Sequence, residues 1–158
     1  TSPSQGAIMA KIHLVTGSTL GAAEYVAEHI AEKLSDAGHQ TQLHNPASVA
    51  TLELEPEEIV LVVTSTHGAG EIPDNLQPFA HELAEQKPDL SHCRFAIVAL
   101  GDSNYDTFCA AGKQMEQLFL DCHARELGDR FDIDVTRHDI PEDAADIWLS
   151  NWLTHLST

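Results

Sequence analysis

A stretch with two glycines and two adjacent hydroxyl side chains, TGSTLGAAE at residues 16–24, follows the first mostly apolar run of the chain. That run, residues 12–15, predicts a strand, and the residues after the stretch predict a helix. A turn between a strand and a helix leaves backbone N–H groups unpaired at the helix N-terminus, where the helix dipole favours an anion. Because glycine has no Cβ, the backbone can approach that anion closely. The stretch therefore predicts a phosphate-binding turn.

Four phosphate-binding classes do not fit this turn. A nucleoside triphosphatase needs Gly-Lys-Ser/Thr at its end, but Gly21 is followed by Ala22. A dinucleotide fingerprint needs Gly-x-Gly-x-x-Gly, and the spacing of Gly17 and Gly21 differs. A response-regulator receiver needs acidic residues at the ends of strands one and three, a low-molecular-weight phosphatase needs a cysteine in the turn, and the sequence provides neither. The turn alone leaves open what carries the phosphate.

Two further polar loops follow apolar, β-branched runs. Residues 65–75 follow the run at 59–64, and residues 101–107 follow the run at 95–100. Continuous runs of this kind are typical of central parallel strands covered on both faces. All three loops would then lie at the carboxyl ends of the strands, where open α/β sheets bind their ligands.

Strand and helix patterns alternate along the whole chain, which predicts an α/β domain with a parallel sheet and right-handed crossovers. The predicted strands are residues 11–16, 40–44 at a polar edge, 59–64, 95–100 and 131–135. The predicted helices begin near Ala23, Leu76, Ala111 and Asp143, and Gly38 is placed to end the first. In the last strand, Phe131, Ile133 and Val135 alternate with Asp132 and Asp134, which predicts an edge strand with one wet face.

Side chains outside the loops are expected to serve packing. Trp148 and Trp152 share one face of the last predicted helix and are interpreted as core anchors. Cys93 and Cys122 are interpreted as packing residues. The three cysteines have no metal-site spacing and fit reduced thiols of a cytoplasmic protein.

Composition and charge narrow the class of partner. The 158 residues are 42% hydrophobic, with no apolar run near the ~20 residues of a membrane span, and no basic leader is visible. The net charge of −17 disfavours nucleic acid and anionic membranes as partners and suits basic protein partners, although it also serves solubility alone.

Residues 1–8 are interpreted as a vector-derived or disordered N-terminus, and residues 9–158 as one domain.

The three loops together resemble those of the flavodoxin family, and in particular the MioC-type short flavodoxins. The resemblance rests on GSTLGAAEYVAEH (17–29), STHGAGEIPDN (65–75), YDTFC (105–109) and HDIPED (138–143). The third loop is also similar to that of sulfite reductase flavin domains. The resemblance implies an open five-stranded parallel sheet of order 2-1-3-4-5, with helices on both faces and flavin mononucleotide (FMN) at its carboxyl edge.

The resemblance also assigns residues to the FMN site. The implied phosphate residues are Ser18, Thr19, Leu20, Gly21, Ala22 and Ala23. The second loop implies Ser65, Thr66, His67, Gly68 and Gly70 on one side of the flavin ring, and the third implies Leu100, Gly101, Asp102, Tyr105, Phe108 and Cys109 on the other, with Tyr105 stacked on the ring. The family usually has hydroxyls where this chain has Leu20 and Ala22, so we expect FMN to bind more weakly than in typical flavodoxins.

Two loop residues have implied redox roles. In the family, the Gly68 peptide turns its carbonyl toward flavin N5 when the flavin takes up its first electron, a change that glycine allows without a Cβ penalty. His67 replaces the aromatic ring common at this position. An adjacent reduced flavin anion favours charged His67, so we expect reduction to be coupled to proton uptake there. The other nine histidines show no metal-binding spacing, so no metal site is expected.

The function implied by the resemblance is that of an electron carrier, not an enzyme with its own substrate. Electrons would come from an NADPH-dependent reductase and pass to an acceptor oxidoreductase, possible acceptors being enzymes of biotin synthesis. Acidic residues at the flavin mouth, Glu71, Asp74, Asp102 and Asp106, would meet basic patches on both partners. The alternatives are a small FMN-dependent quinone or nitro reductase and a flavodoxin-fold regulatory module with weak or no FMN binding. A monomer is expected.

Overall fold

A computed structural model describes residues 11–17, 22–44, 58–65, 72, 76–101, 110–127, 130–134 and 141–156. The strands are β1 (Lys11–Gly17), β2 (Gln40–His44), β3 (Ile59–Ser65), β4 (Arg94–Gly101), β5 (Arg125–Glu126) and β6 (Phe131–Asp134). The helices are α1 (Ala22–Asp36), α2 (Gln77–Gln86), α3 (Ala110–Asp121) and α4 (Pro141–Leu156). The predicted elements are confirmed. The sequence analysis missed β5, because a strand of two residues shows no hydrophobic periodicity.

The sheet is parallel and has the order β2-β1-β3-β4, with a fifth position beside β4. Two short strands share that position. β5 pairs with the start of β4, where Arg125 lies beside Arg94, and β6 pairs with its end, where Phe131 lies beside Val98. Two residues of β4, Ala96 and Ile97, separate these pairings, whereas four positions of the chain separate β5 from β6. The predicted order is therefore confirmed, with the fifth position divided between two strands.

Helices cover both faces of the sheet. The side chains of Ile12 and Leu14 point from β1 into a core layer that includes α1 and α4. The next side chain on the opposite face, Val15, belongs to a second layer with α2 and α3. The central strand β3 is buried on both faces, as its continuous β-branched sequence predicts.

Glycine closes the first helix as predicted. Gly38 has φ +95°, a left-handed conformation that other residues adopt only with strain. Its backbone N–H donates to Ser35 O at 3.0 Å, and His39 N–H donates to Leu34 O at 3.0 Å. These bonds satisfy carbonyls at the helix end, so α1 ends here and the chain enters edge strand β2.

The expectation of a wet face on the last strand was wrong. Asp134 is only 8% exposed, and Asp132 is half-buried. The neighbouring Arg130 donates from Nε to Asp132 Oδ1 at 2.8 Å and from Nη1 to Glu116 Oε1 on α3 at 2.6 Å. The hydrogen bonds to Asp132, with smaller contributions from Glu116, raise the pKa of Arg130 above its ordinary value. The Asp132 carboxylate thus faces a protein group, since a paired arginine makes its partial burial tolerable.

The expected packing residues are confirmed. Trp148 and Trp152 lie in the α1/α4 layer, with their rings stacked at a centroid distance of 5.0 Å. Cys93 and Cys122 are both buried in the reduced state, and burial is the main cause that raises the pKa of Cys122. Among the helices in the described segments, none is long and apolar enough to cross a membrane.

Candidate functional site

Three adjacent strands end together at one edge of the sheet. Gly17 at the end of β1 lies beside Thr64 of β3, and Ser65 at the end of β3 lies beside Leu100 of β4. The three loops that the sequence predicts to bind a ligand start directly after these strand ends. The topology therefore brings together three segments that are far apart in the chain, at the edge where such sheets bind ligands.

Most of the predicted cofactor residues lie outside the described residues. These are Ser18, Thr19, Leu20, Gly21, Thr66, His67, Gly68, Gly70, Asp102, Tyr105, Phe108 and Cys109, and the acidic residues Glu71, Asp74 and Asp106 lie there too. Ser65 ends β3 at this edge, and Ala22 opens α1, the helix that follows the first loop in the chain.

The remaining predicted residues, Ala23, Leu100 and Gly101, flank the loops. Ala23 and Leu100 are buried in the α1/α4 layer, so their side chains are committed to the core and only their backbone groups remain for a ligand. Gly101 is half-buried at the last position of β4. It lies beside Asp134 of β6, so the edge continues to the fifth strand position.

A close contact connects the start of the first loop with the end of the second. Gly17 immediately precedes the first predicted loop, and Leu76, which is fully buried, immediately follows the second. A Cβ added to Gly17 would lie 2.7 Å from Leu76 Cβ and 2.8 Å from its Cδ2. Only glycine fits here, because real Cβ atoms do not approach other carbons so closely. The sequence signal was the glycine itself, but its partner could not be read from the sequence.

The first strand also carries a polar atom that fits an anion site. Thr16 is 3% exposed, and its Oγ1 has no hydrogen-bond partner in the part of the chain that the structure describes. Buried polar groups are normally paired, so an orphaned hydroxyl next to a predicted phosphate turn is consistent with a group awaiting a ligand. The residues present at this edge therefore fit a phosphate-bearing cofactor.

A second polar cluster, which the sequence analysis missed, lies inside the fold. His13 on β1 is 2% exposed, with its Nε2 2.7 Å from Glu58 Oε1 and its Nδ1 3.0 Å from Nε2 of His44 on β2. The residues are 31 and 45 positions apart, so no local spacing could indicate the cluster. No group of three potential ligands in the described segments is arranged to hold a metal ion. The cluster is a hydrogen-bonded chain that joins β1, β2 and the start of β3.

This cluster predicts an acid-sensitive contribution to stability. Burial, followed by the nearby His13 and Lys11, lowers the pKa of His44 below its ordinary value. The unfolded chain therefore binds a proton at His44 more readily than the folded protein, so stability is lost as the pH falls below about 6.5. We expect His44→Gln to be less stable than the wild type at pH 7.5, by about 1 kcal/mol for the lost hydrogen bond, and this difference to shrink at pH 5.5.

Urea unfolding at both pH values measures this change. His81→Gln is the matched control, because His81 is exposed on α2, where it pairs with Glu85 one turn along at 3.1 Å. An equal stability difference between His44→Gln and the wild type at pH 7.5 and 5.5 would contradict the assignment.

The fold and the site geometry define a class, and the comparison with known families agrees. The family model for flavodoxin matches residues 14–148, which include all six strands except the start of β1. The chain therefore belongs to the flavodoxin family. Flavodoxins are electron carriers rather than enzymes, and the family implies a flavin cofactor.

Individual members of the family are similar to this chain over most of its length. The chain is 50% identical to protein MioC of Escherichia coli strain K12 over 149 residues, covering 94% of this chain and 99% of that protein. It is 46% identical to the MioC homolog of Haemophilus influenzae over 145 residues, covering 92% and 98%. Among solved structures, a single-site mutant of a flavodoxin from Pseudomonas aeruginosa superposes with a TM-score of 0.87 at 37% identity, covering 94% of this chain and 99% of that one.

Proposed function

We propose that this protein is an FMN-binding, one-electron carrier. The observation that carries the proposal is the common edge formed by β1, β3 and β4, from which all three predicted flavin loops leave. The unpartnered Thr16 hydroxyl and the buried Gly17–Leu76 contact support it, because both prepare this edge for a close-fitting ligand. Similarity to MioC over nearly the whole chain adds weight.

The direction of electron flow is part of the proposal. NADPH gives a hydride, and thus two electrons, to a flavodoxin reductase, which passes the electrons on singly. When bound, FMN supplies reversible one-electron chemistry. This protein then takes one electron from the reductase and gives it to an oxidised centre of an acceptor oxidoreductase. Enzymes of biotin synthesis are candidate acceptors.

The negative charge of this protein favours its association with both partners. A net charge of −17 creates a field that attracts basic patches and raises encounter rates. The acidic residues that the sequence places at the flavin mouth would make the contacts. A carrier that exchanges partners is expected to act as a monomer, and the reduced buried thiols fit a cytoplasmic location, with neither nucleic acid nor membrane as a partner.

Flavin titration and stepwise photoreduction test the proposal. We expect FMN to bind with a stoichiometry of one and photoreduction of the complex to proceed in two resolved one-electron steps. NADPH alone should leave the complex oxidised, and adding a flavodoxin reductase should reduce it. Because salt screens charges over about 8 Å at physiological ionic strength, this rate should fall as salt is raised.

Each alternative function has its own outcome in these measurements. Direct oxidation of NADPH by the FMN complex would favour a quinone or nitro reductase. A colourless protein that FMN does not titrate would favour a regulatory module. Reduction rates that do not change with salt would contradict electrostatic docking while leaving the carrier function in place.

A further inference from the structure

The Thr16 side chain faces the layer of the fold that contains the first helix. Side chains alternate between the two faces of a strand, and Ile12 and Leu14 on β1 both pack in the α1/α4 layer. Thr16 is the next residue in that series. Its neighbour on β3, Val63, belongs to the same layer. The Thr16 side chain therefore points from the end of β1 into the layer that contains α1.

The same layer contains the first turn of α1. The helix starts at Ala22, six positions after Thr16, and Ala23 in its first turn is fully buried in the same layer. The first N–H groups of a helix have no partner within the helix, and the helix dipole favours an anion there. Thr16 Oγ1 thus faces the layer in which this helix begins.

An unpaired buried hydroxyl costs free energy in the ligand-free protein, so its presence needs a reason. We propose that the Thr16 hydroxyl is a phosphate ligand that donates a hydrogen bond to a phosphate oxygen held at the N-terminus of α1. This inference rests on the proposed FMN function and adds a residue that the loop resemblance did not include. It also supplies a hydroxyl to a turn that lacks them at Leu20 and Ala22.

Two substitutions and two ligands test the proposal. Thr16→Val keeps the shape of the side chain and removes the hydroxyl, whereas Thr16→Ser keeps the hydroxyl. We expect Thr16→Val to raise the dissociation constant for FMN about tenfold, since hydrogen bonds to charged groups are among the stronger ones. The dissociation constant for riboflavin should stay unchanged, because riboflavin has no phosphate. Thr16→Ser should stay within about twofold of the wild type for both ligands.

Stability of the ligand-free protein provides a second measurement. Thr16→Val should unfold at the same urea concentration as the wild type or a higher one, because the hydroxyl has no partner to lose in the described part of the chain. Inorganic phosphate should raise the unfolding temperature of the wild type more than that of Thr16→Val. Thr41→Val is the matched control: Thr41 lies beside Ile12 near the opposite edge of the sheet, and both flavins should bind it normally.

The outcomes separate this inference from the function on which it rests. A wild type that binds neither FMN nor riboflavin would overturn both. If the wild type binds FMN and Thr16→Val binds it equally well, the Thr16 assignment alone is overturned. An equal loss of FMN and riboflavin affinity in Thr16→Val would also overturn it, because that pattern indicates a structural role.

Discussion

Replacing Gly17 with alanine is expected to reduce both the free energy of unfolding and the affinity for FMN. The new Cβ would lie 2.7 Å from Leu76 Cβ, an atom whose position is set by the backbone, so no rotamer change can relieve the contact. Either the end of β1 or the start of α2 must move. Overpacking of this kind costs about 1–3 kcal/mol. Because Gly17 precedes the first predicted flavin loop and Leu76 follows the second, the displacement should also raise the dissociation constant for FMN at least tenfold.

Gly38→Ala separates the two effects. Gly38 has φ +95° with no atom within 4 Å of an added Cβ, so alanine there is strained but collides with nothing. The left-handed conformation costs a residue with a Cβ about 1–2 kcal/mol. Gly38 lies between α1 and the start of β2, at the edge away from the predicted loops. Urea unfolding should therefore show comparable losses for the two variants, and FMN titration should show a loss for Gly17→Ala only.

A compensating change sharpens the test. Leu76→Gly removes the atoms that the new Cβ meets. The double variant Gly17→Ala, Leu76→Gly should therefore lose less FMN affinity than the sum of the losses of the two single variants. Strict additivity, or wild-type FMN affinity in Gly17→Ala, would show that the contact does not position the loops.

Truncation of Trp152 is expected to cause the largest loss of stability. Its ring is 2% exposed and stacks on Trp148, which in turn stacks on Phe131 of β6. Its Nε1–H donates to Leu127 O at 2.9 Å, in the segment that separates β5 from β6. Trp→Ala substitutions in cores cost about 3–5 kcal/mol. Trp152→Ala should lower the free energy of unfolding by this amount, and Leu127 O would lose its indole partner.

Trp152→Phe divides this loss into its parts. Phenylalanine keeps much of the apolar contact and loses the indole N–H, so the expected loss is smaller, at about 1–3 kcal/mol for a bond partner left buried and a smaller ring. Urea unfolding of both variants provides the comparison. Similar losses for Trp152→Ala and Trp152→Phe would indicate that the hydrogen bond, and not the ring packing, anchors α4 to the fifth strand position.

The elements that could be predicted from the sequence are those with a local cause. The β-branched run of β3, the apolar stripe of α1 and the glycine that ends this helix act through neighbours a few residues away. The strand β5 has no such local cause and was missed. The polar face of β6 was predicted to be exposed to solvent, but Arg130 and α3 cover it. An alternating pattern reports that two faces differ, but not which protein groups lie against the polar one.

The sequence by itself determined the α/β class, the positions of the three loops and, through resemblance, the flavodoxin family. Tertiary structure alone decided which distant residues meet. It placed Leu76 against Gly17, joined His13 to His44 and Glu58, and left the Thr16 hydroxyl buried without a partner in the described part of the chain. Periodicity and turn chemistry are set by neighbouring residues, whereas contacts and burial depend on how the layers pack across the sheet. The phosphate role that we propose for Thr16 therefore depends on packing that its neighbours in the sequence do not reveal.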